Sequence, residues 1–474
     1  MPLIVMGVSG SGKSTIAEGV AADAGAVFLD ADDFHPASSI AKMVAGEPLT
    51  DVDRRHWLAT VGDEVSRRAT RGQYVVVACS ALRREQRDIL RAHAEDLTFA
   101  HLVGARDLLA ERLATCDGHP VSASVLSAQL DALEPLASDE HGVVVDVAQD
   151  PRVVIDEVLA GWPRRSSHSP VTRADVAPEL QTLARRTPNI RLENRLMRAI
   201  FVNGSKLVPA VNVAGVKRRV VREQNVDLRI YQPSGQRAPA GGLFWIHGGG
   251  LVIGAAKMDD RFCGETAARL GITVVSVEYR ASTKHGYPIA LDDLDAAWQW
   301  LQAHAEALHI DTQRIAVGGQ SAGGGLAAAF TQKLFDRGDH VAAQWLFCPM
   351  VDDRTAADRS LDATGHLIWN NRANLVGWTT YLGKEYESAT QPYAVASRRK
   401  DLSGLPPAWV YASDIELFFD EDVDFARSLR AAGVDVVLEI VRGAPHGFES
   451  WAADTALAKR LTGRARDWLG RMLS

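Results

Sequence analysis

The sequence predicts an α/β protein with two domains, each built on its own largely parallel sheet. Its 474 residues exceed what one hydrophobic core of ordinary size accommodates. Residues 163–170 read PRRSSHSP, a proline-bounded stretch of polar and charged residues that is typical of a linker. On both sides of it, short apolar runs alternate with helical stretches, the pattern of a parallel sheet covered by helices. We therefore predict domains over 1–162 and 171–474.

Apolar runs supply the strands of both predicted sheets. Before the linker they are LIVM at 3–6, YVVVACS at 74–80 and VVVDV at 143–147. After the linker they are LFWI at 243–246, TVVSVEY at 273–279, RIAVGG at 314–319, QWLFCP at 344–349, AWVYAS at 408–413 and VVLEIV at 436–441. None approaches the ~20 residues that span a bilayer, and no signal-peptide pattern opens the sequence. We therefore expect a cytoplasmic protein without a membrane partner.

Charge and cysteine content argue against nucleic acid and structural metal as partners. The formal net charge of −7 gives no global attraction to nucleic acid. The basic stretch from Arg185 to Arg198 carries Leu192, Leu196 and Ile200 at helical spacing, and we interpret it as an amphipathic helix that packs through its apolar face. The four cysteines form no C-x-x-C pair, so we expect reduced thiols and no structural metal.

A phosphate-binding loop follows the first strand. The segment GVSGSGKS at 7–14 fits G-x-x-x-x-G-K-[ST] and leads into the helical stretch TIAEGVAADAG. In such a loop, backbone N–H groups surround phosphate oxygens, Lys13 adds a positive charge and the Ser14 hydroxyl holds Mg²⁺. The pattern predicts a bound ATP or GTP but does not name the acceptor. The residues expected to bind the nucleotide are Gly7, Val8, Ser9, Gly10, Ser11, Gly12, Lys13, Ser14 and Thr15.

Three segments of the first domain resemble the gluconate kinase family, and they occur in the family's order. They are FLDADDFHPASSIAKMVAGEPLTDVDRRHWL at 28–58, CSALRREQRDILR at 79–91 and GHPVSASVLSAQLDALEP at 118–135. The resemblance covers most of residues 1–162. It implies a P-loop kinase with a three-layer α/β/α parallel sheet, which uses ATP and Mg²⁺ to phosphorylate D-gluconate to 6-phosphogluconate.

The acceptor site of such a kinase needs a base for the sugar-acid hydroxyl and cations for its carboxylate. Asp32 follows the second strand, where it can orient or deprotonate the hydroxyl, and the family resemblance selects the same residue. His35, followed by a proline, is either a substrate contact or a turn residue. Arginine forks suit a carboxylate, although each candidate could equally be a surface residue. These candidates are Arg54, Arg83, Arg84 and Arg87.

The sequence departs from the gluconate kinase family at the lid. Where the resemblance leads one to expect an arginine before the Gly-His pair, the chain has Cys116 followed by Asp117. Pro120 replaces the aromatic residue that follows the histidine. Arg112 is near in sequence, but a helix can carry an arginine there for no catalytic reason. Phosphate contacts from the lid are therefore left open.

Two glycine-rich motifs predict a serine hydrolase in the second domain. GQSAG at 319–323 fits G-x-S-x-G between a strand and an alanine-rich helix, with Ser321 as the nucleophile. HGGG at 247–250 ends an earlier strand and is typical of an oxyanion-hole loop. Backbone N–H groups are expected to face the oxygen that becomes negative in the tetrahedral intermediate. The expected donors are Gly248, Gly249 and Ala322.

The histidine and the acid of the predicted triad come later in the chain. GAPHGFESW at 443–451 places His446 just after the last predicted strand. The chain order in α/β-hydrolases is nucleophile, acid, histidine, so the acid is expected on the loop after AWVYAS. Asp414, Glu416 and Asp420 compete for this role.

With these motifs, residues 215–474 resemble the bacterial hormone-sensitive-lipase-like esterases. The resemblance includes VEYR at 277–280 and PPAWVYASDIELFFDEDVDFARSLRAAGV at 406–434. It implies an α/β-hydrolase fold that hydrolyses carboxylic esters without a cofactor. It also places the family's acid on Glu416, with Asp414 as the main alternative, because a glutamate can orient the imidazole as an aspartate does.

The same resemblance assigns residues 171–214 to cap helices over the acyl pocket. Their apolar side chains, such as Leu196, Ile200 and Phe201, could equally belong to an ordinary core. The acyl size is therefore not predicted.

The leading hypothesis is a bifunctional enzyme that phosphorylates gluconate and hydrolyses a carboxylic ester. One alternative makes the first domain a nucleotide-binding regulatory module whose altered lid no longer catalyses. Another keeps the kinase but replaces gluconate with a different small sugar acid. A link between the two activities, in which hydrolysis of a lactone or acylated sugar acid supplies the kinase, is a further hypothesis. The sequence leaves open whether the chain forms an oligomer.

Overall fold

The chain divides into two compact units, Met1–Arg165 and Ser166–Ser474. The computed structural model describes residues 2–24, 26–44, 47, 49–69, 74–94, 97–115, 123–162, 170–205, 207–223, 226–236, 239–281, 286–383, 386 and 388–474. The linker predicted at 163–170 lies outside the described residues except for Pro170. No described helix has both the length and the apolarity needed to cross a bilayer.

The N-terminal unit contains a parallel sheet whose five described strands follow the order β2-β3-β1-β4-β5. Its strands are β1 (Leu3–Met6), β2 (Val27–Asp30), β3 (Val75–Ala78), β4 (Thr98–Val103) and β5 (Gly142–Asp146). Its helices are α1 (Lys13–Ala24), α2 (Ala37–Val44), α3 (Asp51–Ala69), α4 (Arg84–His93), α5 (Arg106–Thr115), α6 (Ala123–Ala132) and α7 (Pro151–Gly161). Strands β1 and β3 are wholly buried, which explains their uninterrupted apolar sequences.

The C-terminal unit begins with two helices and continues as an eight-stranded mixed sheet in the described residues. The sheet order is β13-β12-β11-β10-β8-β9-β7-β6. The strands are β6 (Val216–Glu223), β7 (Val226–Pro233), β8 (Ala240–Ile246), β9 (Thr273–Glu278), β10 (Ile310–Gln320), β11 (Ala343–Phe347), β12 (Ala408–Ser413) and β13 (Val436–Val441). The helices are α8 (Pro178–Arg186), α9 (Arg195–Ser205), α10 (Asp260–Leu270), α11 (Ile289–His304), α12 (Ala322–Arg337), α13 (Arg354–Ala357), α14 (Asn371–Leu382), α15 (Phe419–Ala431), α16 (Phe448–Trp451) and α17 (Ala456–Met472).

The predicted fold class is confirmed in both units, and the sheet of the second unit adds an antiparallel edge. Strand β7 pairs antiparallel with both β6 and β9. All other neighbouring strands of this sheet, from β9 and β8 across to β12 and β13, pair in parallel. Strand β6 has the polar sequence VKRRVVRE and is largely exposed, so it carries no apolar run from which a strand could be predicted.

The amphipathic helix predicted across Arg185 to Arg198 is wrong. Helix α8 ends at Arg186 and α9 begins at Arg195. Pro188 lies between them, and its fixed φ and missing N–H oppose a continuous helix. Of the apolar residues, Leu192 is buried, but Leu196 and Ile200 are 68% and 51% exposed. The helical spacing therefore combined residues from different local structures.

The predicted cap segment is attached to the sheet of its own unit. Leu180 of α8 is fully buried and belongs to the same hydrophobic core as Trp245 and Trp345 of the sheet. The backbone N–H of Ala177 donates to the carbonyl of Gly443 at 2.8 Å, just after β13. The described residues of 171–214 thus supply α8 and α9, and their role as a cap stays a prediction.

Candidate functional sites

The phosphate-binding loop connects the central strand β1 to α1 in the N-terminal unit. Gly7, Gly10 and Gly12 have φ values of 153°, 83° and 81°, a region that L side chains rarely adopt. A Cβ on Gly10 would also lie 2.7 Å from the carbonyl oxygen of Leu109. Only glycine therefore adopts this backbone at these positions without strain. The loop places its N–H groups at the N-terminus of α1.

Lys13 and Ser14 begin α1 at the base of this loop. Lys13 Nζ donates to the carbonyl of Val8 at 3.1 Å. Burial lowers the pKa of Lys13, and the carboxylate of Asp32 partly opposes this shift. The Ser14 hydroxyl donates to Oδ2 of Asp30 at 3.0 Å. A hydroxyl beside a carboxylate is the kind of oxygen pair that Mg²⁺ accepts.

The remaining loop residues also fit a phosphate ligand. The Ser11 hydroxyl is buried and has no hydrogen-bond partner among the described residues, and the Val8 side chain of the same loop is buried. The backbone N–H of Ser9 donates to Oε1 of Gln129 at 2.7 Å. Thr15 is exposed in the first turn of α1. An unpaired hydroxyl and a buried ammonium beside glycine backbone are suited to phosphate oxygens.

Asp32 lies in a short 3₁₀ turn, Ala31–Phe34, at the carboxyl end of β2. Desolvation by the surrounding loop and the neighbouring Asp30 carboxylate raise the pKa of Asp32, although its side chain remains 85% exposed. The His35 ring stacks on Trp57 with centroids 4.2 Å apart, and Trp57 Nε1 donates to the Ala31 carbonyl at 2.6 Å. His35 Nε2 is 3.8 Å from Oδ1 of Asp32. The turn that carries Asp32 and His35 therefore packs against Trp57 of α3.

Burial of Arg87 in an ion pair corrects its prediction as a substrate contact, whereas Arg84 is paired but exposed. Arg87 has no exposed side-chain surface, and its guanidinium binds Glu140 at 2.7 and 2.9 Å. Its remaining N–H groups donate to carbonyl oxygens, including that of Glu134 at 3.0 Å. Arg84 faces Asp139 with both terminal nitrogens, at 2.8 and 2.5 Å. A substrate carboxylate cannot reach Arg87 and would have to displace Asp139 from Arg84.

Arg54 and Arg83 keep solvent-exposed side chains. Arg54 is 40% exposed and contacts Asp51 at 3.3 Å. It precedes Trp57 by three residues, so it lies on the face of α3 that meets the Asp32 turn. Arg83 is exposed at the start of α4, just beyond the carboxyl end of β3.

The lid prediction concerns residues outside the described part of the chain. Cys116, Asp117 and Pro120 are not described. Nearby, Nη2 of Arg112 donates to the carbonyl of Val147 at 2.8 Å. The guanidinium of Arg112 is thus directed to the backbone after β5.

Ser321 forms a strained turn between β10 and α12 in the C-terminal unit. Its φ and ψ are 54° and −124°, which a non-glycine residue rarely adopts. The turn brings backbones close together: a Cβ on Gly323 would lie 2.1 Å from the Ile246 carbonyl oxygen, and one on Gly319 would lie 2.3 Å from that of Gly323. The glycines two residues before and after Ser321 therefore make the turn possible.

His446 connects Ser321 to Glu416. Its Nε2 lies 2.8 Å from Ser321 Oγ, and its Nδ1 lies 2.8 Å from Oε2 of Glu416. All three residues are buried, with exposed fractions between 4% and 6%. Asp414 instead accepts from the backbone N–H of Gly443, and Asp420 is exposed at the start of α15. Of the three acids that compete in the sequence, Glu416 alone is within hydrogen-bond distance of the His446 ring in the described structure.

The HGGG loop packs against this turn. A Cβ on Gly248 would lie 3.4 Å from Ser321 Cβ, and one on Gly249, where φ is 131°, would lie 1.9 Å from the Ile253 carbonyl oxygen. Ala322 begins α12, so its backbone N–H belongs to the unpaired N-terminal turn of that helix. Gly248, Gly249 and Ala322 thus lie on two sides of Ser321.

A cavity of about 440 Å³ opens above Ser321, His446 and the HGGG loop. Its walls are almost entirely apolar. Side chains from the cap and from two loops form them: Ile190, Ile200, Phe201, Ile253, Ile368 and Trp369. Its size falls in the range of small-molecule sites. Ile200 and Phe201, which the sequence left undecided between core and cap, line this cavity.

Several residues of the two sites were missed by sequence reasoning. Asp30, the partner of Ser14, could have been noticed as an acid at the carboxyl end of a strand in the same sheet. Trp369 belongs to no recognisable motif. Its ring packs so closely on Gly250 that a Cβ there would lie 1.9 Å from a ring atom. Gln320 and Glu449 form a hydrogen bond beside Ser321 and His446, and they are 129 positions apart in the sequence.

Comparisons with known proteins divide the chain in the same way. Residues 3–136 match the family described as an AAA domain, and residues 243–450 match the family described as the alpha/beta hydrolase fold. The gluconokinase of Gluconobacter oxydans is 40% identical over 157 residues, which are 33% of this chain and 88% of that protein. Esterase LipI of Mycobacterium tuberculosis is 31% identical over 247 residues, which are 50% of this chain and 76% of that protein.

Solved structures resemble the C-terminal part. The structure titled Bacterial Heroin Esterase has 34% sequence identity and a TM-score of 0.59, and the alignment covers 64% of this chain and 100% of that one.

Proposed function

Because the chain belongs to the gluconokinase family in its N-terminal part and to the α/β-hydrolase esterases in its C-terminal part, we propose that it catalyses two reactions at separate sites. The first is phosphorylation of D-gluconate to 6-phosphogluconate with ATP and Mg²⁺. The second is hydrolysis of an apolar carboxylic ester by Ser321, His446 and Glu416. The observation that carries the second proposal is the pair of 2.8 Å contacts made by the His446 ring.

In the proposed esterase reaction, Ser321 Oγ attacks the ester carbonyl and passes its proton to Nε2 of His446. Glu416 holds the other ring nitrogen and balances the positive charge of the imidazolium. The backbone N–H groups of Gly248, Gly249 and Ala322 stabilise the oxyanion. His446 then protonates the leaving alcohol, and a water molecule, activated by the same ring, releases the acid from Ser321.

The apolar cavity supports an ester with an apolar acyl or alcohol part. A sugar-acid lactone would lose the hydrogen bonds of its hydroxyl groups with water and find few replacements on these walls. This weakens the hypothesis that the second unit supplies gluconate to the first. The test compares hydrolysis of p-nitrophenyl butyrate and of gluconolactone by the purified chain. Lactone hydrolysis above the spontaneous rate, with no ester hydrolysis, would reject this substrate class.

In the proposed kinase reaction, Lys13 and backbone N–H groups of the loop 7–14 would hold the nucleotide phosphates, and Ser14 with Asp30 would hold Mg²⁺. When bound, ATP would supply the phosphoryl group, and Mg²⁺ would neutralise part of the negative charge on the phosphates. Asp32 orients the acceptor hydroxyl and accepts its proton, while Arg54, Arg83 and His35 face the sugar acid.

An ADP-release assay with a panel of sugar acids tests this assignment. We expect gluconate to give the highest kcat/KM. A different preferred acid would keep the kinase and change its acceptor. No turnover with any acid, while ATP is bound, would favour the regulatory-module alternative.

A further inference from the structure

Gln320 and Glu449 join the two segments that carry Ser321 and His446. Gln320 is the last residue of β10 and directly precedes Ser321. Glu449 lies in α16, three residues after His446. The side-chain amide Nε2 of Gln320 donates to Oε1 of Glu449 at 2.5 Å. One side chain thus fixes the nucleophile segment against the histidine segment.

The rest of α16 and its preceding turn strengthen this connection. The same amide donates to Ser450 Oγ at 2.8 Å. Gly447, with a φ of 64°, lies beside the amide: a Cβ there would be in van der Waals contact with Gln320 Nε2, at 3.4 Å. The amide therefore lies next to the residue that follows His446 and is bonded to Glu449 and Ser450 of α16.

The Glu449 carboxyl group is enclosed beside His446. The residue is 3% exposed, and Oε2 has no hydrogen-bond partner in the described part of the chain. Burial raises the pKa of Glu449 to about 7, while the hydrogen bond from Gln320 and the attraction of His446 act in the opposite direction. Because the carboxyl group is buried, a charge on it acts strongly on the nearby ring.

Other titratable groups surround Glu449. His446, Glu416, Tyr411 and Cys348 lie close enough to interact with it electrostatically. A neighbouring cavity, which Glu449 also lines, carries Asp259, Arg261, Glu265, Arg269, Lys459 and Arg466. Several of these pair with other acids, as Arg261 does with Asp454 and Arg269 with Asp467. The attraction of His446 is therefore the main interaction that favours the charged form of Glu449, apart from its hydrogen bonds.

We propose that Gln320 and Glu449 are a positioning pair for His446, in which the amide fixes the carboxylate and the carboxylate stabilises the protonated ring. The inference rests on the proposed esterase function. Proton transfer from Ser321 places a positive charge on His446 in the transition state, and Glu449 adds a second negative charge to that of Glu416. This interaction acts on the transition state more than on the bound ester, so its loss lowers kcat and leaves KM almost unchanged.

The test measures the hydrolysis of p-nitrophenyl butyrate by the full chain between pH 6 and pH 9. Glu449→Gln should lower kcat about five- to tenfold at pH 9 with KM within about twofold. The ratio of wild-type to variant kcat should fall towards one at pH 6, because Glu449 of the wild type is then neutral. Asp454→Asn is the matched control: it removes a carboxylate just beyond α16 that is 77% exposed, and should leave the ratio near one at every pH.

Two further measurements separate the possible failures. Absence of hydrolysis by the wild type would reject the proposed esterase function; the NMR titration of the His446 ring then still tests the pair, since Glu449→Gln must lower the midpoint of that titration. An unchanged midpoint together with a pH-independent kcat ratio would overturn the inference. Should Glu449→Gln fail to fold, Gln320→Met decides: it removes the amide donor, so kcat should fall at pH 7 and recover by pH 9. A loss equal at both pH values would contradict the proposal.

Discussion

Glu416 and Asp414 lie two residues apart on the loop after β12 but face different partners. Glu416 Oε2 is 2.8 Å from Nδ1 of His446. Asp414 accepts from the backbone N–H of Gly443 at 2.7 Å and from Arg442 at 3.2 Å. Asp414 therefore holds the segment that leads from β13 to His446, whereas Glu416 contacts the histidine itself.

This division predicts different effects of neutralising the two acids. Glu416→Gln should lower esterase kcat by about 10³–10⁴, because the ring loses the group that fixes its tautomer and balances its charge. Asp414→Asn should have a much smaller effect on kcat and should mainly lower the melting temperature. Steady-state kinetics with p-nitrophenyl butyrate measure kcat of both variants, and thermal unfolding measures their melting temperatures. A larger loss of kcat in Asp414→Asn would move the acid to Asp414.

Replacement of Ser321 should remove ester hydrolysis without affecting kinase activity. Ser321→Ala should abolish ester hydrolysis and leave gluconate-dependent ADP release intact, because Ser321 belongs to a different sheet from the phosphate-binding loop. Asp32→Asn is the reciprocal control and should remove kinase turnover alone. Loss of both activities in either folded variant would contradict two independent sites.

The phosphate-binding loop, the turn at Ser321 and most strands were predictable because their signals are local. A glycine with positive φ, or a buried strand of valines, is recognisable from a few neighbouring residues. Residue chemistry alone did not choose between Glu416 and Asp414, since the choice depends on where Gly443 and Arg442 lie in space; only the family resemblance favoured Glu416. The prediction of Arg87 as a substrate contact was wrong for the same reason: Glu140, its buried ion-pair partner, is 53 positions away in the sequence.

The Gln320 to Glu449 bond shows the same limit within the active site. Each residue is adjacent to a recognised motif, but no spacing rule links positions so far apart in the chain. The interruption of the predicted helix at Pro188, by contrast, had a local signal that the apolar spacing obscured.

The buried pair of Arg87 and Glu140 predicts a stability effect without a direct effect on gluconate binding. Arg87→Met should lower the stability of the N-terminal unit by about 3–5 kcal/mol, because Glu140 would stay buried without its partner. Arg84→Met, which removes an exposed partner of Asp139, should change the melting temperature little. Thermal unfolding measures the stability of both variants, and assays of ATP-dependent activity then measure their KM for gluconate. A stable Arg87→Met variant with a raised KM for gluconate would restore Arg87 as a substrate contact.

The last prediction concerns Cys116, which takes the place of an arginine expected from the family resemblance. The loop residues 7–14 and Asp32 support binding and positioning of nucleotide and acceptor, so some kinase turnover should remain. Cys116 cannot place a cation against the transferring phosphoryl group, and in other P-loop enzymes a supplied arginine is worth about 10³–10⁵ in kcat. Arg112 is held by the Val147 carbonyl. We therefore expect a slow kinase.

Cys116→Arg should raise gluconate kinase kcat at least about tenfold, with a smaller change in the KM for gluconate, because the added charge acts mainly in the transition state. Cys116→Ser is the matched control; it changes the side chain without adding charge and should leave kcat at the wild-type level. ADP release at saturating ATP measures all three proteins. Wild-type turnover already within the ordinary kinase range of about 1–100 s⁻¹ would show that this position needs no arginine. Absence of turnover in both the wild type and Cys116→Arg, with ATP still bound, would instead assign the N-terminal unit a regulatory role.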